Sequence, residues 1–200
     1  MWGDKLNEKE NLIDDMMRKQ LNNLSKEQVI ELFLRERNLR KKLSRQLSRL
    51  KVAAYYDAPT TKAVGRPIYN RTYLEKVYIN SKNNSNCIIC MVDINDLAIT
   101  NNTLGHLAGD QLICDCASSL VDYGTVIRFG GDEFILVPDK DKVDTFKQML
   151  NDKKDTLNFS YGMYEKQPSE SFEEALNKAD EIMYNMKFQK KVGRDYHRQR

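Results

Sequence analysis

The sequence contains no long hydrophobic run. No apolar stretch approaches the roughly 20 residues that a membrane-spanning helix requires, and the first residues, MWGDKLNEKEN, lack the apolar segment of a signal peptide. A membrane-spanning or secreted protein is therefore not expected, and we predict a cytoplasmic location. The formal net charge of +3 is too small for the chain as a whole to indicate a nucleic-acid-binding protein.

Cysteine is also scarce, with four residues in a chain of 200. Cys87 and Cys90 have the Cys-x-x-Cys spacing of some metal sites, but they lie in the apolar run CIICMVDI, which is typical of a buried strand. Neighbouring side chains of a strand point to opposite faces of the sheet. We therefore predict that these two residues, like Cys114 and Cys116, are buried reduced thiols rather than metal ligands.

Two helices are predicted in the first 54 residues. The first covers residues 7–24, where one apolar stripe is formed by Leu12, Ile13, Met16, Met17, Leu21 and Leu24. Ser25 and Gln28 have the spacing of a capping box, which predicts a second helix from Lys26 to about Ala54. Its apolar residues fit the inner positions of a heptad that Glu36 and Gln46 interrupt: Val29, Leu32, Leu39, Leu43, Leu50 and Ala53. Residues 1–54 are thus predicted to be a coiled-coil dimerisation segment.

The second predicted helix is strongly basic. Eight basic residues and one acid, Glu36, lie between Arg35 and Lys51. They form either a surface for anionic lipid or nucleic acid, or the solvated outer face of the coiled coil. We prefer the solvated face, and we expect no stable nucleic-acid or membrane partner.

The rest of the chain divides into a linker and one folded unit. The stretch YYDAPTTKAVGRP has two prolines, one glycine and no periodicity, which predicts a linker over residues 55–66. Residues 67–200 then alternate between helical patterns and strands, and TVIRF and FILVP form a hairpin around GGDE. This pattern favours an α/β (α+β) sandwich of the palm or ferredoxin-like type, with a mostly antiparallel sheet and flanking helices.

The stretch RFGGDEF places two acids at the turn of this hairpin. Gly130 and Gly131 are expected to supply the positive φ angles of a tight turn and to let a ligand approach the backbone. Asp132 and Glu133 then lie at the rim of the sheet, and Asp93 ends the strand CIICMVDI. If the two strands are neighbours, these carboxylates converge and repel unless a cation lies between them. Mg²⁺ with a phosphate suits such a site; GGDE alone could equally be a simple turn.

The combined motifs resemble the GGDEF family, the diguanylate cyclases. The family joins a strand ending in Asp-Ile-Asp, an Asn-Asp-x-x-Gly-His-x-x-Gly-Asp segment and a Gly-Gly-Asp-Glu-Phe hairpin; this chain reads DINDLAITNNTLGHLAGDQL and then RFGGDEF. The later stretches FSYGMY and ADEIMYNMK resemble the family's last strand and helix. The resemblance covers residues 67–200, which we interpret as the catalytic domain.

The resemblance implies a role for each matching residue. Ligands for Mg²⁺ (or Mn²⁺) fall on Asp93, the Ile94 carbonyl, Asp132 and Glu133, and the last two divide metal binding and base assistance in catalysis. Substrate-binding positions fall on Asn101, His106, Asp110, Gly130, Gly131, Lys187 and Arg194. Among these, Asn101 and Asp110 match the positions that bind the guanine edge, although both could simply cap the next helix. Lys187 and Arg194 match phosphate-binding positions.

The function implied is the condensation of two GTP into cyclic di-GMP and pyrophosphate by a homodimer with two half-sites. Dimerisation is then required for catalysis, and the N-terminal helices would supply it. Three alternatives stay open. They are a degenerate domain that binds a nucleotide and signals through its helices, a related cyclase that makes another cyclic oligonucleotide, and an adaptor that acts through the basic helix.

The sequence also departs from the family. KAVGRPIY replaces the usual Asp-x-Leu-Thr-Gly-Leu, and Ala98 stands where the family has a phosphate-binding lysine. Arg194 follows Lys187 after about three extra residues, so that Lys190 could take its place on the helix face. Residues 121–124 read VDYG instead of the product-inhibition motif Arg-x-x-Asp. Feedback by product at that position is therefore not expected.

Overall fold

The computed structural model describes residues 24–82, 86–153, 156 and 158–198, with the backbone alone for Lys82 and for residues 192–198. The chain divides into two compact units, Met1–Leu50 and Lys51–Arg200. The helix predicted over residues 7–24 lies outside the described residues, apart from Leu24.

Helix α1 (Lys26–Tyr55) begins where the capping box predicted. The Ser25 N–H donates to Gln28 Oε1 at 2.9 Å, and the Gln28 N–H donates to Ser25 Oγ at 3.3 Å. No residue of this 30-residue helix is buried. Its exposed apolar side chains are Ile30, Leu32, Phe33, Leu34, Leu39, Leu43, Leu47, Leu50 and Val52. A helix with so much exposed apolar surface is suited to pairing with another helix.

In its described part, the second unit contains helices of 3 to 27 residues and five strands. Helices α2 (Ala58–Val64), α3 (Arg71–Tyr73) and α4 (Ile79–Lys82) precede most of the sheet, with a π-helical turn (Leu74–Tyr78) between the last two. They are followed by α5 (Leu97–Leu104), α6 (His106–Leu120), α7 (Val143–Asp152) and α8 (Phe172–Arg198). The strands are β1 (Tyr69–Asn70), β2 (Ile88–Ile94), β3 (Gly124–Arg128), β4 (Glu133–Pro138) and β5 (Phe159–Glu165).

The sheet has the strand order β1-β3-β4-β2-β5, and only the β1–β3 pair is parallel. Alternate residues of the strands face two separate apolar clusters. One contains Cys90, Val92, Ile113, Cys116, Leu120, Phe134, Leu136 and Phe146. The other contains Ile89, Met91, Ile127, Ile135, Phe172 and Met183. This two-faced, mostly antiparallel sheet with flanking helices confirms the predicted α/β palm-like fold.

None of the four cysteines forms a disulfide bond, and two of them are buried. Cys90 and Cys116 lie in the core, and burial raises the pKa of Cys116 to about 12. Cys87 and Cys114 are partly exposed. The prediction of buried thiols is thus confirmed for Cys90 and Cys116 and wrong for Cys87 and Cys114. Cys87 directly precedes strand β2, and Cys114 lies on a partly exposed face of α6.

Residues 55–66 differ from the predicted linker, because they contain helix α2. Asp57 caps this helix, its Oδ1 accepting the Thr60 N–H at 3.1 Å, and Gly65 ends it in the left-handed region at φ 72°. Arg128 Nη1 donates to Asp57 Oδ1 and to Thr60 Oγ1, each at 3.3 Å. A helix of two turns is too short to show periodicity, and this one depends on a side chain far along the chain. The domain boundaries at 54 and 66 stay a prediction.

Across the parts of the chain that the structure describes, no helix combines the length and the hydropathy that crossing a bilayer requires.

Replacing Asp57 by Ala removes both the cap of α2 and the ion pair with Arg128. The two side chains are 22% and 19% exposed, so we expect the free energy of unfolding to fall by about 1–2 kcal/mol. Asp122→Ala is the matched control, because its pair with Arg66 is 71% and 55% exposed and should contribute under about 0.5 kcal/mol. Urea titrations followed by circular dichroism measure the free energy of unfolding of both variants. An equal loss of stability in the two variants would contradict the prediction.

Candidate functional site

Two acids of the predicted site are cross-strand neighbours. Asp93, near the end of β2, pairs in register with Glu133, the first residue of β4. On the other side of β2, Asp93 pairs with Ser160 of β5. The Ile94 N–H donates to the Asp132 carbonyl at 2.9 Å, which fixes the hairpin turn against the end of β2. The sheet register therefore brings Asp93, Ile94, Asp132 and Glu133 to one edge, as the sequence predicted.

The glycines of the hairpin have a different role from the one predicted. The described glycines with a positive φ are Gly65 and Gly105, so the expected positive φ angles at Gly130 and Gly131 are wrong. A Cβ atom at Gly130 would lie 2.6 Å from Glu133 Oε2, whereas one at Gly131 would meet no atom within 4 Å. Gly130 thus lets the Glu133 carboxylate fold back over the turn, and Gly131 leaves open space beside it.

The turn is held by main-chain bonds and by Arg128. The N–H groups of Phe129 and Gly130 both donate to the Glu133 carbonyl, at 2.8 and 3.2 Å. Arg128 Nη2 donates to the Gly131 carbonyl at 2.8 Å, while its other terminal nitrogen holds Asp57. Two donors on one carbonyl form a bulge, which turns the chain without left-handed residues. This explains why the turn does not need the glycine angles that the sequence suggested.

A lysine from α8 lies on the Asp93 carboxylate. Lys187 Nζ donates to Asp93 Oδ1 at 2.6 Å, and the side chains are 43% and 8% exposed. Burial raises the pKa of Asp93 above its ordinary value, and the hydrogen bond and charge of Lys187 oppose this rise. The charges of Asp132 and Asp180 raise it further.

Glu133 lies in the same electrostatic environment. Burial is the largest cause of its raised pKa, followed by the charges of Asp132, Asp93 and Asp180, while Lys187 lowers it. Asp180 is an addition to the predicted site. It precedes Lys187 by seven residues on α8, two helical turns, so their shared face could have been found from the spacing.

The donor atoms at this edge fit a hard divalent cation. Carboxylate and carbonyl oxygens are the ligands that Mg²⁺ takes from proteins, and it keeps most of its other positions for water and phosphate. Within the described part of the chain, however, no three His, Cys, Asp or Glu side chains form an assembled metal cluster. The cation that Asp93 contacts is the ammonium group of Lys187.

The second predicted group lies where α5 meets α6. A Cβ atom at Gly109 would lie 1.9 Å from Asn101 Oδ1, so only glycine leaves room for the Asn101 side chain there. Gly105 separates the two helices at φ 85°, and its N–H donates to the Asn101 carbonyl at 3.0 Å. His106 and Asp110 are exposed on the first turns of α6. The Asn101 side chain thus lies against Gly109, the residue before Asp110 on α6.

The remaining predicted phosphate ligands lie on α8. Lys190 Nζ donates to the Phe159 carbonyl at 3.0 Å, and Phe159 pairs with Ile94 in the sheet. Lys190 therefore reaches the same edge as Lys187, one helical turn further along α8. Arg194 belongs to α8, but its side chain lies outside the described part. Its predicted role stays a prediction.

Replacing Glu133 by Gln should stabilise the protein in a pH-dependent way. A raised folded-state pKa means that the stability from proton binding is complete below the ordinary value of 4.5 and is lost as the pH rises through the raised pKa. We expect Glu133→Gln to unfold at more urea than the native chain at pH 7, and this gain to shrink towards about pH 4. Glu181→Gln, on the exposed face of α8, is the control; an equal pH-dependent gain in both variants would contradict this origin.

Comparisons with known proteins agree with this geometry. The family described as "Diguanylate cyclase, GGDEF domain" matches residues 54–192. The chain is 33% identical over 79 residues to the probable diguanylate cyclase DgcI of Escherichia coli, covering 37% of this chain and 17% of that protein. It is 28% identical over 120 residues to the diguanylate cyclase VdcA of Vibrio cholerae, covering 50% of this chain and 35% of that protein.

Solved structures show the same fold. The coiled coil and GGDEF domain of DgcB from Caulobacter crescentus, in complex with c-di-GMP, superposes with a TM-score of 0.62 at 21% identity over 80% of this chain and 95% of that one. Diguanylate cyclase SiaD from Pseudomonas aeruginosa, in complex with its activator SiaC, gives 0.59 at 21% identity over 94% of this chain and 77% of that one. With the family match over residues 54–192, the chain belongs to the GGDEF family of diguanylate cyclases.

Proposed function

We propose that the protein is a diguanylate cyclase that joins two GTP molecules into cyclic di-GMP and releases two pyrophosphates. The observation that carries the proposal is the register pair of Asp93 and Glu133, with Asp132 at the adjoining turn and Lys187 bonded to Asp93. A plain hairpin turn would not require three acids and a lysine from a distant helix at one sheet edge. The chain covers only part of its curated relatives, so the activity is inferred from this site and from the family.

Asp93, the Ile94 carbonyl, Asp132 and Glu133 would hold Mg²⁺ or Mn²⁺. When bound, such an ion activates an attacking hydroxyl and stabilises the charge on a leaving phosphate. Because the pKa of Glu133 is raised by burial and neighbouring acids, its carboxylate accepts a proton more readily than an ordinary glutamate. Glu133 is therefore suited to take the proton of the 3′-hydroxyl, while Asp132 serves the ion.

The choice of nucleotide is assigned to Asn101 and Asp110. A carboxylate can accept hydrogen bonds from the ring N–H and the exocyclic amine of guanine together. Adenine would leave these groups unpaired, and a site built for such bonds rejects it strongly. A Cβ atom at position 109 would overlap the Asn101 amide, so glycine there leaves the amide the space that it occupies.

The phosphate contacts are fewer than the family pattern contains. Ala98 offers no charge, which leaves Lys187, with Lys190 one turn further on and Arg194 beyond it. The loss of one charge-assisted bond to a triphosphate costs about 1–3 kcal/mol. Such a loss slows turnover without abolishing it, whereas loss of the carboxylates would abolish metal binding.

Catalysis requires two half-sites, and α1 is the proposed means of bringing two copies together. Val29, Leu32, Leu39, Leu43 and Leu50 lie at inner heptad positions of a helix with no buried residue. A coiled coil between two copies would bury this stripe and raise the effective concentration of one catalytic domain near the other.

A second function is favoured by Ala98 and by the altered segment KAVGRPIY at residues 62–69. A domain that has lost part of its phosphate contacts could bind GTP or a cyclic nucleotide without turnover and signal through α1. A cyclase that makes a different cyclic oligonucleotide is a further possibility, although Asp110 argues against adenine at this site.

Incubation with GTP and Mg²⁺, with products separated by chromatography and identified by mass, tests the proposal. We expect cyclic di-GMP from the native chain and at least a hundredfold less (on the order of 10²) from Asp132→Ala/Glu133→Ala, because both metal binding and base assistance are lost. Asp139→Ala/Asp141→Ala, at the opposite end of β4, removes the same charge and should retain activity. GTP binding without product in the native chain would support the binding module instead.

Disrupting the α1 stripe should separate the two copies. Leu39→Ser/Leu43→Ser removes two inner heptad side chains, and we expect a shift from dimer to monomer in sedimentation velocity, with activity that falls steeply on dilution. Leu34→Ser, at an outer position of the same heptad and 52% exposed, should leave the dimer intact. A native chain that sediments as a monomer at concentrations where it is active would refute the role of α1.

A further inference from the structure

We propose that Lys187 is the resident counter-ion of the Asp93 carboxylate, and that a divalent cation must displace its ammonium group before it can bind Asp93. The displaced ammonium then becomes available to the phosphates of the nucleotide. This inference rests on the proposed function, and it adds an exchange of cations that couples metal binding to nucleotide binding.

The geometry leaves little room for both cations on the same carboxylate. Lys187 Nζ lies 2.6 Å from Asp93 Oδ1, and the carboxylate is only 8% exposed. A Mg²⁺ ion would need to approach an oxygen of this group to about 2.1 Å. An ammonium and a divalent cation on one small, buried group would repel each other with little water between them to screen the charges.

The local charge explains why a cation is needed there before any metal arrives. The charges of Asp132 and Asp180 act on Asp93, and those of Asp93, Asp132 and Asp180 act on Glu133. Lys187 opposes the rise in pKa at both acids. Its ammonium group thus balances part of the negative charge of the four acids in the metal-free protein.

The Lys187 side chain is able to leave. It is 43% exposed, and its flexible four-carbon stem lets the ammonium group move without displacing α8. Lys190 differs, because its Nζ donates to the main-chain carbonyl of Phe159. The two lysines are one turn apart on the same helix and carry the same charge, which makes them a matched pair for an experiment.

The exchange predicts opposite effects of one substitution. Without its competitor, Asp93 should bind Mn²⁺ alone about tenfold more tightly in Lys187→Met, the factor expected for one lost bond between charged groups. The same variant should bind a non-hydrolysable GTP analogue with Mg²⁺ about tenfold more weakly, because the phosphate contact is lost. If Lys187 had a merely structural role, its replacement would weaken the binding of Mn²⁺ and of the GTP analogue alike.

The test is a titration with Mn²⁺ alone, without nucleotide and at constant ionic strength, in which electron paramagnetic resonance measures the free ion. Lys187→Arg keeps the charge and should stay within about twofold of the native affinity, and Lys190→Met should do the same because its ammonium does not contact Asp93. If Lys190→Met tightens Mn²⁺ binding as much as Lys187→Met, the effect is general electrostatics and the exchange is wrong.

A measurement on the native chain guards against a variant that fails to fold. In protein labelled with ¹³C and ¹⁵N at lysine, Mg²⁺ should shift the side-chain resonances of Lys187 and leave those of Lys190 nearly unchanged. Unchanged Lys187 resonances at saturating Mg²⁺ would overturn the exchange. Turnover of GTP with no such change would overturn the exchange alone, whereas absence of Mn²⁺ binding in every variant would also remove the metal site of the proposed function.

Discussion

The repulsion among carboxylates at one sheet edge is the constraint on which the rest of the site depends. Register places Asp93 opposite Glu133, and the main chain of Ile94 holds Asp132 beside them. Burial and mutual charge disfavour the ionised forms of Asp93 and Glu133. A fold gains nothing in stability from such an arrangement, so it persists only where the surrounding structure enforces it.

The surrounding structure enforces it through contacts from three separate elements. Lys187 of α8 neutralises part of the charge. Arg128 of β3 holds the turn by donating to the Gly131 carbonyl, and Gly130 gives the Glu133 side chain the space to fold back. Each of these groups contacts the main chain or a carboxylate. The apolar packing of the sheet comes instead from the two clusters on its faces.

The fold was predictable from the sequence because its signals are regular. Strands such as CIICMVDI are continuous apolar runs, the hairpin is marked by GGDE between two strands, and the capping box of Ser25 and Gln28 marks the start of α1. Helix α2 and strand β1 were not predicted, since one is held by Arg128 from far along the chain and the other has only two residues. Short elements that depend on distant partners carry no periodic signal.

Three acids of the candidate site could be identified from the sequence, but the geometry of its turn could not. The motifs identified Asp93, Asp132 and Glu133, and the sheet brought them together. The glycine angles were predicted wrongly, because the turn is a bulge with two donors on the Glu133 carbonyl. Asp180 shares a helix face with Lys187, which the spacing shows, but its effect on Asp93 and Glu133 depends on how α8 packs against β2.

The contacts of Asp57 connect residues 55–66 to the hairpin of the candidate site. Asp57 accepts from Arg128, and Arg128 donates onward to the Gly131 carbonyl beside the acids. Close by, Asn70 Nδ2 donates to the carbonyls of Ala54 and Tyr56, which lie at the end of α1 and just after it. Within the second unit, the last turn of α1 is therefore joined to Asn70 by hydrogen bonds, and α2 is joined to the hairpin. Arg128 in this way stabilises both the conformation of residues 55–66 and the turn that carries Asp132.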